Sequence, residues 1–192
     1  MKMTAVEKLF VNRPGHAAQV ALRAGKLLER CQFQPGQRYL DVGCGIGSAA
    51  RKIAETRALD VTGIDIDPEQ IKAAESGPAR LNLRFFTMDT GRLQFPDAQF
   101  DIVATSKALH HIPERARAFR EMARVLRDGG YLIFTDFVLP AWFPSARLPS
   151  ERNLDELATK AGLTRIYRSR HFLAVDLIWQ KESKPNSGRQ RE

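Results

Sequence analysis

Three patterns in this 192-residue chain could do chemistry: alternating glycines beside an acid, acids that close apolar runs, and a pair of adjacent histidines. The densest is Tyr39-Leu40-Asp41-Val42-Gly43-Cys44-Gly45-Ile46-Gly47-Ser48, an apolar run with an acid two residues before the first glycine. This predicts a buried strand opening into a loop with almost no side chains, then a helix. Such a loop lets a ligand lie against bare backbone. A dinucleotide fingerprint needs G-x-G-x-x-G, and Ser48 stands in its third glycine position. An alternating triple with Asp41 suits a nucleoside with an amino-acid tail better, since the acid would face a cationic amine but oppose a diphosphate. Taken alone, the segment also fits a ligand-free turn.

Two further acids close apolar runs. Leu59 to Ile64 ends on Asp65, 18 residues past Gly47, where a strand-end carboxylate can accept both hydroxyls of a ribose. Asp67, Pro68 and Gln70 supply the N-cap, first-turn proline and capping-box partner of the next helix, which leaves Asp65 for a ligand. Leu83 to Met88 ends on Asp89, placed to accept from an exocyclic amine such as that of adenine; starting the loop Asp89-Thr90-Gly91 is its plainer role.

These residues need strands and helices to hold them. A fourth strand is expected at Phe100 to Ser106, followed by the turn Lys107 to Ile112. Ala118, Phe119, Met122, Val125 and Leu126 recur at helical spacing, predicting a helix from Glu114 to Leu126 that Asp128-Gly129-Gly130 closes. Tyr131 to Phe137 reads as the fifth strand. A helix is expected from Asn153, with Glu156 as capping-box partner and Gly162 at its end. Leu163 to Arg170 and Phe172 to Gln180 are connected so tightly that they must pair antiparallel. Upstream, residues 1–34 read as two short helices broken at Asn12-Arg13-Pro14-Gly15, the second with an apolar stripe at Val20, Leu27 and Leu28.

In this order the motifs resemble the class I S-adenosylmethionine-dependent methyltransferases of the small-molecule type. The resemblance runs from about Gln37 to Glu182 through Leu-Asp-Val-Gly-Cys-Gly-Ile-Gly, Val-Thr-Gly-Ile-Asp-Ile, Met-Asp-Thr, Phe-Asp-Ile-Val with Ala-Leu-His-His-Ile, and Arg-Val-Leu-Arg-Asp-Gly-Gly-Tyr-Leu. Asp128 departs from the proline that relatives commonly carry before the glycine pair, a change confined to a turn. The resemblance implies an α/β fold: a doubly wound, seven-stranded, mostly parallel sheet with a C-terminal antiparallel hairpin and helices on both faces. It implies S-adenosyl-L-methionine as cofactor, with the glycine loop under the methionine part, Asp65 at the ribose and Asp89 at the adenine. The cofactor set it implies is Asp41, Gly43, Cys44, Gly45, Gly47, Asp65, Ile66, Met88, Asp89, Thr90 and Ser106. The expected organisation is a helical segment at 1–34 over the active site, a core at 35–181 and a disordered basic tail at 182–192.

Methyl transfer from a sulfonium is an in-line displacement, so holding acceptor, methyl and sulfur collinear is the protein's main task. His111 and His110, just past the fourth strand, are the candidate bases where the acceptor must lose a proton. Their rings must diverge, so at most one faces the acceptor. The plainer alternative packs His111 under the cofactor and leaves His110 solvated. His16 and His171 are isolated, and no spacing suggests a metal. After the fourth strand, Thr105-Ser106-Lys107-Ala108 replaces the Asn/Asp-Pro-Pro-Tyr/Phe segment of base-modifying relatives, and a paired-glutamate hairpin and an arsenite-type cysteine set are missing. A small-molecule acceptor is left. Trp142 and Phe143, in a proline-framed loop between Phe137 and Pro149, would wall a lipophilic acceptor, touch a membrane face weakly, or plug the core.

Composition sets the outer limits. With 43% apolar residues the chain suffices for one core. Cys31 and Cys44 are too few and too separated for a disulfide framework. No apolar signal core and no run near the length of a membrane span is present, so a cytoplasmic location is expected. The net charge of +8 is dispersed over several segments and reads as a solvated surface with no specific nucleic-acid partner. Two other functions share these features: cofactor binding without turnover, and a nicotinamide-dependent oxidoreductase, which the glycine spacing, Asp41 and Asp89 oppose.

Overall fold

The computed structural model describes residues 14–137, 149–171 and 174–183. Its elements, in chain order, are α1 (Pro14–Leu28), β1 (Arg38–Val42), α2 (Ser48–Thr56), β2 (Asp60–Asp65), α3 (Pro68–Glu75), β3 (Leu83–Thr87) and β4 (Phe100–Ser106). A single 3₁₀ turn (Leu109–His111), α4 (Arg115–Val125), β5 (Leu126–Phe137), α5 (Glu151–Lys160), β6 (Leu163–Arg170) and β7 (Ala174–Lys181) follow. The sheet has seven strands in the order β3-β2-β1-β4-β5-β7-β6. The first five are parallel, and β7 runs antiparallel to both β5 and β6. The fold class is the one the sequence predicts.

Apolar residues alternate between the sheet's two faces and make two cores. On one face, Leu40, Val103, Leu132, Phe134, Leu177 and Trp179 pack beneath α4 and α5. On the other, Tyr39, Val61, Ile102, Ile133 and Ile178 pack beneath α1, α2 and α3 through Leu27, Leu28, Ile53 and Ala74. Both faces of the central strands are therefore buried, as a parallel sheet requires. Each large side chain so buried stabilises the fold by roughly 1.5–3 kcal/mol.

Three local expectations are corrected. The glycine pair does not close α4. Leu126 already turns extended and pairs with Phe100, and β5 continues through Asp128-Gly129-Gly130. Pairing resumes at Ile102 with Tyr131, so the glycines form a bulge inside the strand. Gly130 packs there because a β-carbon would lie 2.7 Å from the Asp101 carbonyl. The helix expected from Asn153 begins at Glu151, because Ser150 is its N-cap and accepts from the Asn153 N–H at 3.2 Å. Glu156 pairs with Arg152 one turn back and makes no capping box. In α1, the buried stripe is Ala21, Ala24, Leu27 and Leu28, while Val20 faces a cavity. The first of the two N-terminal helices, Trp142 and Phe143, and most of the tail lie outside the described residues.

Both cysteines are free thiols, and burial pushes Cys31 up to about 12. No helix among the described residues is long and apolar enough to cross a membrane.

Candidate cofactor and acceptor site

Strand order reverses between β1 and β4, and open α/β sheets hold ligands at the carboxyl ends of the strands beside such a switch point. A cavity of about 420 Å³ opens there. Its wall includes Asp41, Gly43, Cys44, Gly45, Asp65, Ile66, Asp89, Thr90, Ser106, Lys107 and His111, with Val20 of α1 and Arg117 of α4 closing the sides.

The loop after β1 is held from both directions. The N–H groups of Gly43 and Cys44 donate to the Ile64 carbonyl at 2.8 and 2.9 Å, and that of Gly45 to the Asp65 carboxylate at 3.0 Å. Gly43 has φ +73°, and a β-carbon would lie 2.4 Å from the Ala108 β-carbon; bare backbone is what lets the loop meet the segment after β4. Gly47, at φ +75°, caps the start of α2, and its missing β-carbon would strike the Phe85 ring at 2.5 Å. Gly47 is thus a packing glycine between helix and sheet and does not line the cavity.

Three acids stand at the ends of β1, β2 and β3. Asp41 is buried, and its Oδ2 has no hydrogen-bond partner among the described residues. Burial first, and the Asp65 carboxylate second, push it up to about 7, against a backbone N–H at Ala50 that pulls it back. Asp65 is not as uncommitted as the sequence suggests. One oxygen accepts from Gly45 and the other from the Asp67 N–H at 2.9 Å. The second bond takes the place of the expected capping box with Gln70, while Asp67 caps α3 as predicted. A carboxylate has about four acceptor positions, so Asp65 keeps capacity for a diol. Asp89 takes the plainer of the two roles foreseen for it, its Oδ1 accepting from the Gly91 N–H at 2.8 Å to start the loop, and the residue borders the cavity.

On the other side, the two imidazoles do not diverge as expected: their ring centres lie 4.0 Å apart with the planes tilted by 43°, so the rings pack against each other. His111 borders the cavity. His110 is not solvated: its Nδ1 lies 2.7 Å from Oδ1 of Asp136, which is buried at the end of β5. A carboxylate only accepts, so His110 donates its Nδ1–H in this contact. Asp136 also accepts from the backbone N–H groups of His110 and Phe137. Behind it, Asp176 on β7 takes a two-pronged contact from Arg23 of α1 at 2.8 and 2.9 Å, and Thr135 donates to the same carboxylate. That contact fixes α1, and with it Val20, against the cavity.

Of the residues singled out by sequence, Met88 and His110 join Gly47 away from the cavity wall. Met88 packs on the core, where its sulfur accepts from the Gln94 N–H. Cys44 lines the cavity with its thiol pushed well above its ordinary value by desolvation, which opposes a nucleophilic role. The sequence reading gave no site role to Asp136, Lys107, Arg23, Arg117 or Val20. Asp136 carries the same signal as Asp65, an acid closing an apolar strand. The others come into place only through contacts distant in sequence.

Known proteins bear on this geometry. Residues 40–134 match the family model described as "Methyltransferase domain". Over 104 residues the chain is 41% identical to the 2-methyl-6-phytyl-1,4-hydroquinone methyltransferase of Synechocystis, covering 54% of this chain and 33% of that protein. It is 40% identical to the 27-O-demethylrifamycin SV methyltransferase of Amycolatopsis mediterranei over 111 residues, 56% of this chain and 41% of that one. The chain thus spans well under two thirds of these relatives' length. Its fold superposes on a putative sarcosine dimethylglycine methyltransferase from Galdieria sulphuraria with a TM-score of 0.80 at 16% identity, covering 86% of each chain. A SAM-dependent methyltransferase from Aquifex aeolicus gives 0.76 at 18% identity, with 93% and 99% covered.

Proposed function

We propose that this chain, which belongs to the class I S-adenosylmethionine-dependent methyltransferases with their Rossmann-like fold, transfers the sulfonium methyl group to a small, lipophilic organic acceptor. The observation that carries the reading is the row of acids, with the unpartnered Oδ2 of Asp41 at its head. At about 4.8 Å per strand, β1 to β3 span roughly 10 Å across the sheet. An ammonium, a ribose diol and an adenine amine follow one another along the cofactor in the order Asp41, Asp65, Asp89. Asp41 would take the ammonium, Asp65 the diol and Asp89 the amine, with Ile66, Thr90 and Ser106 completing the walls.

When bound, the cofactor supplies an electrophilic methyl group on sulfur. The chain's own residues orient the acceptor and receive its proton. Collinear positioning is worth roughly 7–11 kcal/mol of barrier where the geometry is good. His111 meets the acceptor at the wall, and Asp136 holds His110 behind it through the Nδ1–H. The lipophilic character is supported by the half-exposed ring of Phe137 and by the similarity to the 2-methyl-6-phytyl-1,4-hydroquinone methyltransferase. The expected location is cytoplasmic, with weak contact at a membrane face.

A methyl-label transfer screen against extract fractions, lipids included, tests the reading, with Asp65→Ala and His111→Ala as controls. Label should enter an organic-soluble product with the wild type and fall in both variants. Cofactor binding with no transfer to any fraction would point instead to a cofactor-binding protein without turnover.

A further inference from the structure

Lys107 is built at a cost that the fold alone does not require. It follows the last residue of β4 and takes a left-handed backbone, φ +53°, which disfavours residues with a β-carbon other than asparagine and aspartate. Its N–H donates to the Thr135 carbonyl at 2.7 Å, which locks the turn onto β5. Glycine or asparagine would serve that turn with less strain. Strain retained at the mouth of a cavity points to a function for the side chain.

The side chain borders the cavity, and its ammonium stands 5.5 Å from the centre of the Phe137 ring. The nearby carboxylates are committed elsewhere: Asp136 to His110, and Asp176 to Arg23, Thr135 and His171. Arg117, the other cation of the wall, lies beside Glu114. Among the described residues the Lys107 ammonium makes no ion pair. Desolvation and the Arg23 charge lower its pKa and the Asp136 carboxylate offsets them only in part, so a further anion beside it would relieve a cost already present.

We propose that Lys107 selects the acceptor, binding an acidic substituent of an aromatic acceptor whose ring lies along Phe137. The inference rests on the methyltransferase reading above and narrows its acceptor class. Lys107 stands on the β4–β5 side of the cavity, across from the acids at the ends of β2 and β3 but close to the glycine loop, where Ala108 abuts Gly43; the cofactor carboxylate is therefore the rival ligand that the test separates from the acceptor.

The test is a calorimetric titration of the full chain, saturated with S-adenosylhomocysteine, with 4-hydroxybenzoate and with its neutral methyl ester. The anion should bind roughly tenfold or more tighter than the ester. Lys107→Met should erase that preference and leave S-adenosylhomocysteine affinity unchanged, and Lys107→Arg should keep part of it. Lys107→Asn should melt no lower than the wild type, which separates acceptor selection from a structural role. Equal binding of the two probes, binding of neither, or a preference that survives Lys107→Met would overturn the proposal. So would a loss of S-adenosylhomocysteine affinity in Lys107→Met, which would assign the ammonium to the cofactor. Failure of the wild type to bind S-adenosylhomocysteine is a different result and would remove the underlying reading.

Discussion

On the β2–β3 side of the cavity the polar groups are carboxylates and bare backbone: Asp65, Asp89 and the loop from Gly43 to Gly45, with Asp41 beneath. On the β4–β5 side they are cations and imidazoles: Lys107, His111, His110 behind it, and Arg23 on the helix that closes the edge. The acidic side is stitched by bonds between neighbouring strand ends, such as Gly45 to Asp65 and Asp65 to Asp67. The basic side is assembled from four elements, with β5 and β7 contributing buried acids and α1 the clamp. One side is suited to a ligand that never varies. The other can be re-specified by changing single side chains on different elements.

The largest effect expected is on the basic side. His111→Ala should slow methyl transfer by about 10²–10⁴-fold with S-adenosylhomocysteine affinity unchanged, if the imidazole receives the acceptor's proton. Rate measurements beside a binding titration separate the outcomes. Lost cofactor affinity at an unaltered rate would move His111 to the acidic side.

Gly43→Ala attacks the seam between the sides. It places a β-carbon against Ala108 and forces alanine into a left-handed backbone. The backbone term is roughly 1–2 kcal/mol and overpacking adds roughly 1–3 kcal/mol, read as a lower denaturation midpoint. A variant as stable as the wild type would mean that the seam is loose.

How much of this was legible beforehand divides along the same line. The glycine loop, Asp41, Asp65 and Asp89 lie within or just after short apolar strands, so local pattern alone exposes them, and sheet order follows from strand–helix alternation. The pairing of His110 with Asp136 joins residues 26 apart, and that of Arg23 with Asp176 joins residues 153 apart, so neither leaves a local trace. Gly129 and Gly130 misled because a glycine pair after a helical pattern resembles a helix stop. Their use as a strand bulge is decided by Leu126 pairing with Phe100. Asn153 misled because the true cap, Ser150, stands three residues earlier.

Two smaller effects sharpen the acidic side. Asp65→Ala should weaken S-adenosylhomocysteine binding by roughly 1–3 kcal/mol through lost diol hydrogen bonds. Unchanged affinity by calorimetry would leave Asp65 as a loop staple only. The smallest effect concerns protons. With Asp41 at about 7, its carboxyl is neutral below that pH, and it must ionise to face an ammonium. Cofactor affinity should therefore fall about tenfold for each pH unit below that value and be flat above it. In the free protein the sign reverses. A raised carboxyl favours folding below the ordinary carboxylate range, and that contribution is lost as pH rises through about 7. Denaturation midpoints across this range check the second trend, and Asp41→Asn should flatten both.

The central claim is that the row Asp41, Asp65, Asp89 is the seat of an adenosyl amino acid. Parallel calorimetric titrations of the wild-type chain with S-adenosylhomocysteine and with NADH test it most directly. The account predicts stoichiometric binding of S-adenosylhomocysteine, with proton release below pH about 7, and no heat from NADH. Binding of NADH with no response to S-adenosylhomocysteine would contradict it.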